Sequence, residues 1–515
     1  MRRAATLALV AFLLGCDGAI PAPGPPIATL EAEAPGAEAQ AALRDARALL
    51  DIIQTDYAGW PTKSTGPRAA AIREAEAKML SAARAAQTPS DHLWALSDYV
   101  ATFGDGHLGL SANVVWLPRS QGMDPFAVEA KAGALGLEPL GVTETRDPEV
   151  LRSALQRMRS RPAKDLDPLE GEWAIQGAYR VLVTRNGDVF DVHVLQTDRE
   201  GWQPGDLKAR FARASDGDLV MRYLAGDKSE SGVAVKPFAA GTVLDLGRWG
   251  MWSRVWPTPE DPQRARRERP GSGFVLERLP DGTPWLRLPS FGANSLNTVQ
   301  SLIADNREFL ESAEYLIVDV RDNGGGNDAV YAPVLPLILE SAPSSVGVEF
   351  LVTERNLDGF RGYLDEVADN PALAEQLEAH IAALEAKADG QRGVFASLSD
   401  GTQTEATLFE SAPGTRQVGV LIDNAGSSAE QFVLDVMNAP NVTTFGHANT
   451  AGVLDYSNVV SATLPSGRAD LRWATSRSLR LPENPVDDGG IAPDVRFGDD
   501  TEDPVLAALA VLKEG

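Results

Sequence analysis

Cysteine is almost absent from this chain: Cys16 is the only one in 515 residues. A single thiol excludes an intramolecular disulfide, a CxxC redox pair and a cysteine-based zinc cluster. Histidine is scarce as well, five residues with none at HxxxH or HxH spacing. That scarcity argues against a dedicated metal site. Positive charge is the minority sign, 47 Lys+Arg against 72 Asp+Glu for a formal net charge of −25. With no basic face to neutralise phosphates, nucleic acid is excluded as a partner. Beyond the N-terminus no apolar run approaches transmembrane length. What is present is a balanced composition, 43% hydrophobic and 23% charged. The length suffices for about three domains, each with its own core.

The first residues set the expected compartment. Arg2 and Arg3 precede an apolar stretch, Ala4 to Leu14, about half the ~20 residues a membrane span needs. It reads as a secretory signal, residues 1–15. Leu13-Leu14-Gly15-Cys16 resembles a bacterial lipobox, which implies acylation of Cys16. The expected location is therefore the cell envelope, lipid-anchored and facing the periplasm or exterior, with the choice of membrane open. Residues 16–40, rich in Ala, Pro, Gly and Glu, read as a flexible tether.

Three further regions follow. Leu43, Ala46, Leu50, Ile53 and Tyr57 recur at helical spacing, a second helix is expected over Arg68–Ala86, and a third begins at Ser90 as N-cap. These form an expected helical domain, 41–118. The region 119–256 reads as an antiparallel β domain: Tyr179, Val181 and Val183 alternate, Asn186-Gly187 marks a hairpin, and Phe190, Val192 and Val194 alternate after it. It does not read as a PDZ module. A Pro-rich, charged linker, 257–270, leads to a region of alternating strands and helices, 271–515. Within it, residues 354–400 form a polar helical insertion, readable as a lid or as a surface excursion.

Two strand-to-turn junctions carry chemistry. In Asp319-Val320-Arg321-Asp322-Asn323-Gly324-Gly325-Gly326 three glycines follow a buried strand and expose backbone N–H groups, the raw material of an oxyanion hole. Neither GxGxxG nor GxxxxGK[ST] is present in this loop, so it is no nucleotide loop. In Asn424-Ala425-Gly426-Ser427-Ser428-Ala429-Glu430 a serine opens a helix. There Ser427 reads as a nucleophile or as a simple N-cap.

Together the junctions resemble the tricorn and C-terminal processing (tail-specific) family of serine peptidases. Asp319 to Gly326 is similar to its Asp-x-Arg-x-Asn-Gly-Gly loop, Ser427 to Glu430 to its Ser-x-x-Glu helix start. Trp285 to Phe291 and Gly490-Ile491-Ala492-Pro493-Asp494 match further landmarks. The resemblance implies an α/β fold with a ClpP/crotonase-like ββα core, no cofactor, and Ser427 as nucleophile. No lysine lies between Lys387 and Lys513, which removes the Ser–Lys dyad many members use. The tricorn-like branch takes a histidine from the N-terminal part of the chain, and Gly104-Asp105-Gly106-His107 matches that motif. Its carboxylate, six positions before the Pro-Asp landmark, falls on Asp487, one methylene shorter than the branch's Glu. The serine that the branch carries beside its histidine is Gly106 here. His107 is thus the expected base, Asp487 its orienting carboxylate, and the amides of Gly324 or Gly325 and of Ser428 the oxyanion hole. His447 is the rival base and Ser428 the rival nucleophile. Asp322 and Asp328 flank the glycines as candidate sites for a substrate amine or a cation, or as plain solvated acids.

The expected function is a lipid-anchored serine endopeptidase acting on peptides or unfolded protein tails. The alternative is a non-catalytic binding lipoprotein on the same fold, holding an apolar ligand or a cell-envelope component.

Overall fold

The computed structural model describes residues 36–113, 132–140, 144–175, 178–214, 217–246, 250–269, 271–344, 346–366, 371–398, 408–409, 416–487 and 489–514. The expected signal, Cys16 and most of the tether lie outside these residues, as does the join near residue 118. The chain divides into two compact units, residues 1–117 with 271–515, and residues 118–270.

The first unit begins with the helices Ala37–Asp56, Ala69–Ala85 and Pro89–Ala101. Ala42, Ala46, Leu49 and Ile53 form the buried stripe of the first. The third is capped by Thr88 and not by Ser90. Thr88 Oγ1 accepts the Asp91 amide, the Asp91 carboxylate accepts the Thr88 amide, and Pro89 fills the first turn. A reciprocal box with proline at N1 outcompetes a lone serine one residue later. The chain then passes Gly104–His107 and enters strand β1 (Gly109–Ala112).

The second unit is a closed antiparallel barrel. Its strands are β2 (Gly171–Ile175), β3 (Tyr179–Asn186), β4 (Val189–Thr197), β5 (Leu207–Arg213), β6 (Leu219–Leu224), β7 (Glu230–Phe238), β8 (Val243–Asp245) and β9 (Met251–Trp256). They pair in sequence order, and β9 returns to β2. Closure leaves no free edge. Trp173, Val181, Val192, Phe211 and Trp252 pack the core. The expected linker is folded: Arg264–Glu268 is a short helix, the Glu268 carboxylate accepts the Ala239 amide at 2.6 Å, and Arg267 is buried against Asp261. Lys208 is fully buried, its ammonium 4.0 to 4.7 Å from the ring centres of Trp202, Tyr179 and Tyr223 and donating to the Leu224 carbonyl at 2.6 Å.

Back in the first unit, the remaining strands are β10 (Val275–Arg278), β11 (Pro284–Arg287), β12 (Tyr315–Asp319), β13 (Val348–Val352), β14 (Val394–Ser397), β15 (Gln417–Leu421), β16 (Val442–Gly446), β17 (Tyr456–Thr463), β18 (Ala469–Ser478) and β19 (Val495–Arg496). A six-stranded sheet runs β10-β11-β12-β15-β16-β19, parallel except at β10. A second, antiparallel sheet joins β1, β18, β13 and β14, with β17 also on β18. The N-terminal helices therefore do not form a domain of their own. Leu49, Ile53, Leu96 and Phe103 share one core with Phe350, Leu471 and Trp473 of the second sheet. The insertion belongs to the same core: its helices Glu354–Glu366 and Pro371–Lys387 bury Leu357, Phe360, Ile381 and Leu384 there. Those apolar contacts make it part of the packing and not a lid.

Candidate active site

β12 and β15 are neighbours in parallel register, so the turns that follow them emerge side by side. The first turn is braced from within. Burial alone would push the Asp319 carboxyl up, but Arg321, and after it Arg287, hold it below the usual carboxylate range. Arg321 contributes Nε at 2.9 Å and Nη2 at 2.6 Å. The Asp-x-Arg pair thus shapes the loop and does not face a substrate. Asn323 joins the turns: its Nδ2 donates to the Leu288 carbonyl at 3.0 Å, its Oδ1 accepts the Gly325 amide at 2.8 Å, and its carbonyl accepts the Gly426 amide at 2.8 Å. Gly325, at φ +94°, lies so close to the second turn that a Cβ there would stand 2.6 Å from Ser427 Cβ and 2.8 Å from Ser428 N. Only glycine fits.

Ser427 is buried and sits at φ 55°, ψ −123°, a conformation that non-glycine residues rarely adopt. The helix Ser428–Val436 begins immediately after it. Glu430, fully buried, ties this turn to the segment Thr450–Val453. Its carboxylate accepts the amides of Ser427 at 3.1 Å, Gly452 at 2.7 Å and Val453 at 2.8 Å, and the Thr450 hydroxyl at 2.6 Å. Burial pushes its pKa up against these hydrogen bonds. The Ser-x-x-Glu spacing announced a glutamate at this place, but its partners far along the chain carry no sequence signal.

His107 is buried one turn before β1. Its amide donates to Asp105 Oδ1 at 2.8 Å. Its Nδ1 lies 2.5 Å from the Tyr456 carbonyl, an acceptor only, so Nδ1 carries a proton, and in the neutral ring Nε2 holds the lone pair. Val453 lies between the segments that carry His107 and Ser427. A Cβ on Gly106 would stand 2.5 Å from its Cγ1, and one on Gly426 would stand 3.0 Å from its Cγ2. The residues that precede His107 and Ser427 therefore flank a single isopropyl group. An open cleft of about 480 Å³ beside them is lined by Gly104, Asp105, Gly106, Thr450, Gly452 and Val453, among others.

Asp487 departs from its expected part. Its Oδ1 accepts the amides of Leu454 at 2.9 Å and Asp455 at 2.8 Å, while the Asp455 carboxylate accepts those of Val486 and Asp487. Its Oδ2 is buried with no hydrogen-bond partner among the described residues. Burial first, then Asp105, pushes the Asp487 pKa up to about 7. The acceptor at His107 Nδ1 is thus a main-chain carbonyl, in the place foreseen for this shorter carboxylate. The expected oxyanion donors also change, because the Gly325 amide is committed to Asn323. Gly324 is exposed beside it, and Ser428 N lies against Gly325. Ser428 Oγ donates to the Gly326 carbonyl at 2.9 Å, which ties it to the loop and removes it as the rival nucleophile.

His447 is engaged elsewhere. Its Nε2 is 3.2 Å from the Thr501 carbonyl, its Nδ1 is 3.5 Å from Asp423, and its ring packs on Phe497. Asp322 is exposed and accepts from Asn424 Nδ2 at 3.2 Å. Burial pushes Asp328 up to about 7.

Comparison with protein-family models matches residues 283–497 to Peptidase family S41. No curated protein matches the chain. Solved structures similar to it include mature CPAF, at 12% identity over 92% of this chain and 96% of that one with a TM-score of 0.48. Another is the photosystem II D1 C-terminal processing protease, at 13% identity over 92% and 97% with a TM-score of 0.31. A peptidase from Parabacteroides merdae matches at 20% identity over 53% and 78%, with a TM-score of 0.29.

Proposed function

Residues 283–497 belong to peptidase family S41, and from that premise we propose that the chain is a serine peptidase with Ser427 as nucleophile and His107 as base. The observation that supports this reading is a serine in a strained turn and a buried imidazole whose Nδ1 meets a main-chain carbonyl, with the glycine before each of them packed against Val453. Ser427 Oγ attacks the scissile carbonyl while His107 Nε2 takes its proton. The Tyr456 carbonyl holds the Nδ1 proton throughout and favours the imidazolium that forms. Negative charge on the carbonyl oxygen is met by the amides of Ser428 and Gly324 at the positive end of the helix. His107 then protonates the leaving amine, and water, deprotonated by the same imidazole, releases the acyl group from Ser427.

The proposal extends to a ClpP/crotonase-like arrangement of the six-stranded sheet, to internal cleavage of peptides or unfolded protein tails, and to a lipid anchor at Cys16 that places the enzyme in the cell envelope. The lipobox-like Leu13 to Cys16 supports the last point.

The test is covalent labelling. A fluorophosphonate probe is expected to mark the full chain on Ser427, and Ser427→Ala is expected to lose labelling and at least about a thousandfold of peptide turnover. An unlabelled wild-type protein without turnover transfers the fold to the ligand-holding role. Palmitate incorporation into wild type but not Cys16→Ala tests the anchor.

A further inference from the structure

The loop that carries His107 has little structure of its own: Gly104 is at φ +58° and β1 begins only at Gly109. A base on so short and glycine-rich a loop needs an external hold. Asp105 supplies it, with Oδ1 accepting the His107 amide at 2.8 Å and Oδ2 accepting the Tyr57 hydroxyl. Tyr57 follows the helix Ala37–Asp56, whose end is pinned to β18 by the Ala58 amide donating to the Ala474 carbonyl at 2.9 Å. Its ring meets Phe103 edge-on at 5.9 Å and lies 6.0 Å from the ring of Tyr456, the residue whose carbonyl takes the Nδ1 proton. Tyr57 therefore touches both anchors of the imidazole. The path of its hydroxyl to Asp105 passes over Gly59, where a Cβ would stand 2.2 Å from the phenol oxygen.

We propose that Tyr57 and Asp105 are positioning residues for His107, Asp105 bridging the base's own backbone to a phenol anchored on the N-terminal helix. The proposal rests on the reading of His107 as the base. The pair aims Nε2 and also places a carboxylate close to the imidazole. The other charged or titratable groups around this point include Asp487 and Asp455, Tyr456, Arg480, Arg68 beside Gly104, Arg472, which donates to the Gly106 carbonyl at 3.1 Å, and Lys63, whose ammonium donates to the Phe103 carbonyl at 3.2 Å and lies 5.0 Å from the Tyr456 ring centre.

The experiment compares full-length wild type with Tyr57→Phe, Asp105→Asn and Gly59→Ala. Fluorophosphonate labelling is followed across pH, together with turnover of fluorescently labelled casein. Each variant is expected to label about 10- to 100-fold more slowly, as misplacement of a base does, with kcat lowered and KM for casein retained. Asp105→Asn also removes negative charge beside the imidazole, which makes the protonated ring less favourable. The acid limb of its labelling profile is expected to move to lower pH by about half a unit or more. Phenylalanine preserves the packing of residue 57, so Tyr57→Phe decides the matter if Asp105→Asn does not fold. Labelling within about twofold of wild type in Tyr57→Phe and Gly59→Ala overturns the proposal. So does an unmoved acid limb in a folded Asp105→Asn. A wild-type protein that is not labelled at all sinks the peptidase reading itself, and the positioning role with it.

Discussion

Glu430 is the residue on which both sides of the candidate site lean. One buried carboxylate satisfies the Ser427 amide and three donors of the Thr450–Val453 segment. Glu430→Ala would leave four buried donors unmatched, each costing about 1–3 kcal/mol. Equilibrium urea unfolding is expected to show a loss of at least about 3 kcal/mol, with fluorophosphonate labelling lost in the fraction that remains folded. Residue identity made the two strand-to-turn junctions legible, because the glycine run and the Ser-x-x-Glu spacing are carried by side-chain type. It misassigned the partner of Nδ1, since the Tyr456 carbonyl is a backbone atom that any residue would provide. It also counted the Gly325 amide as a donor to substrate, although Asn323, already in the motif, captures it. Asp-x-Arg was visible as a pattern, but that it braces the loop from inside needed the distances between Asp319 and Arg321.

At the scale of elements, the alternation of Val181, Val183, Val192 and Val194 and the Asn186-Gly187 turn announced the central strands of the second unit. Closure was hidden, because β2 and β9, the first and last strands of the barrel, pair with each other and neither strand records its partner. The helices over 354–387 were misread for a related reason: their exposed faces are polar, and their buried faces meet a sheet assembled from distant strands. Inside the barrel unit, Lys208 stands against the strand pattern. Burial first, then Arg199 and Lys228, pulls its pKa down to about 7 from an ordinary value of 10.5. The folded chain thus binds fewer protons here than the unfolded one between about pH 7 and 10.5, so its stability rises with pH through that window. Below about pH 7 the full cost of a buried ammonium is present, softened by three rings and one carbonyl. Lys208→Met keeps the aliphatic stem and removes that cost. Urea unfolding followed by tryptophan fluorescence is expected to show stabilisation, larger at about pH 6 than at about pH 9.5.

For the whole molecule, charge sets the direction of pH dependence. The chain carries a formal −25, and besides Glu430 the first unit buries three aspartates that resist ionisation. Burial pushes Asp487 and Asp328 up to about 7 and Asp435 up to about 6. The unfolded chain would release these protons near pH 3.9, the ordinary value for about every free Asp. Their contribution to stability is complete below that point and is lost as pH rises through about 6 to 7. The urea midpoint of the first unit is expected to fall between about pH 5 and 7.5, and Asp487→Asn to fall less steeply. Added salt, by screening the surplus negative charge, is expected to restore part of the loss. A midpoint that climbs over this range would contradict the assignment of these buried groups.

The carbonyl that holds His107 comes from Tyr456, 349 residues later, and β1 completes its pairing only with β18. A ribosome that has already made Ser427 has not yet delivered the strand that pairs with β1, Ala469–Ser478. The seat of His107 is thus among the last parts of the first unit that a growing chain can complete.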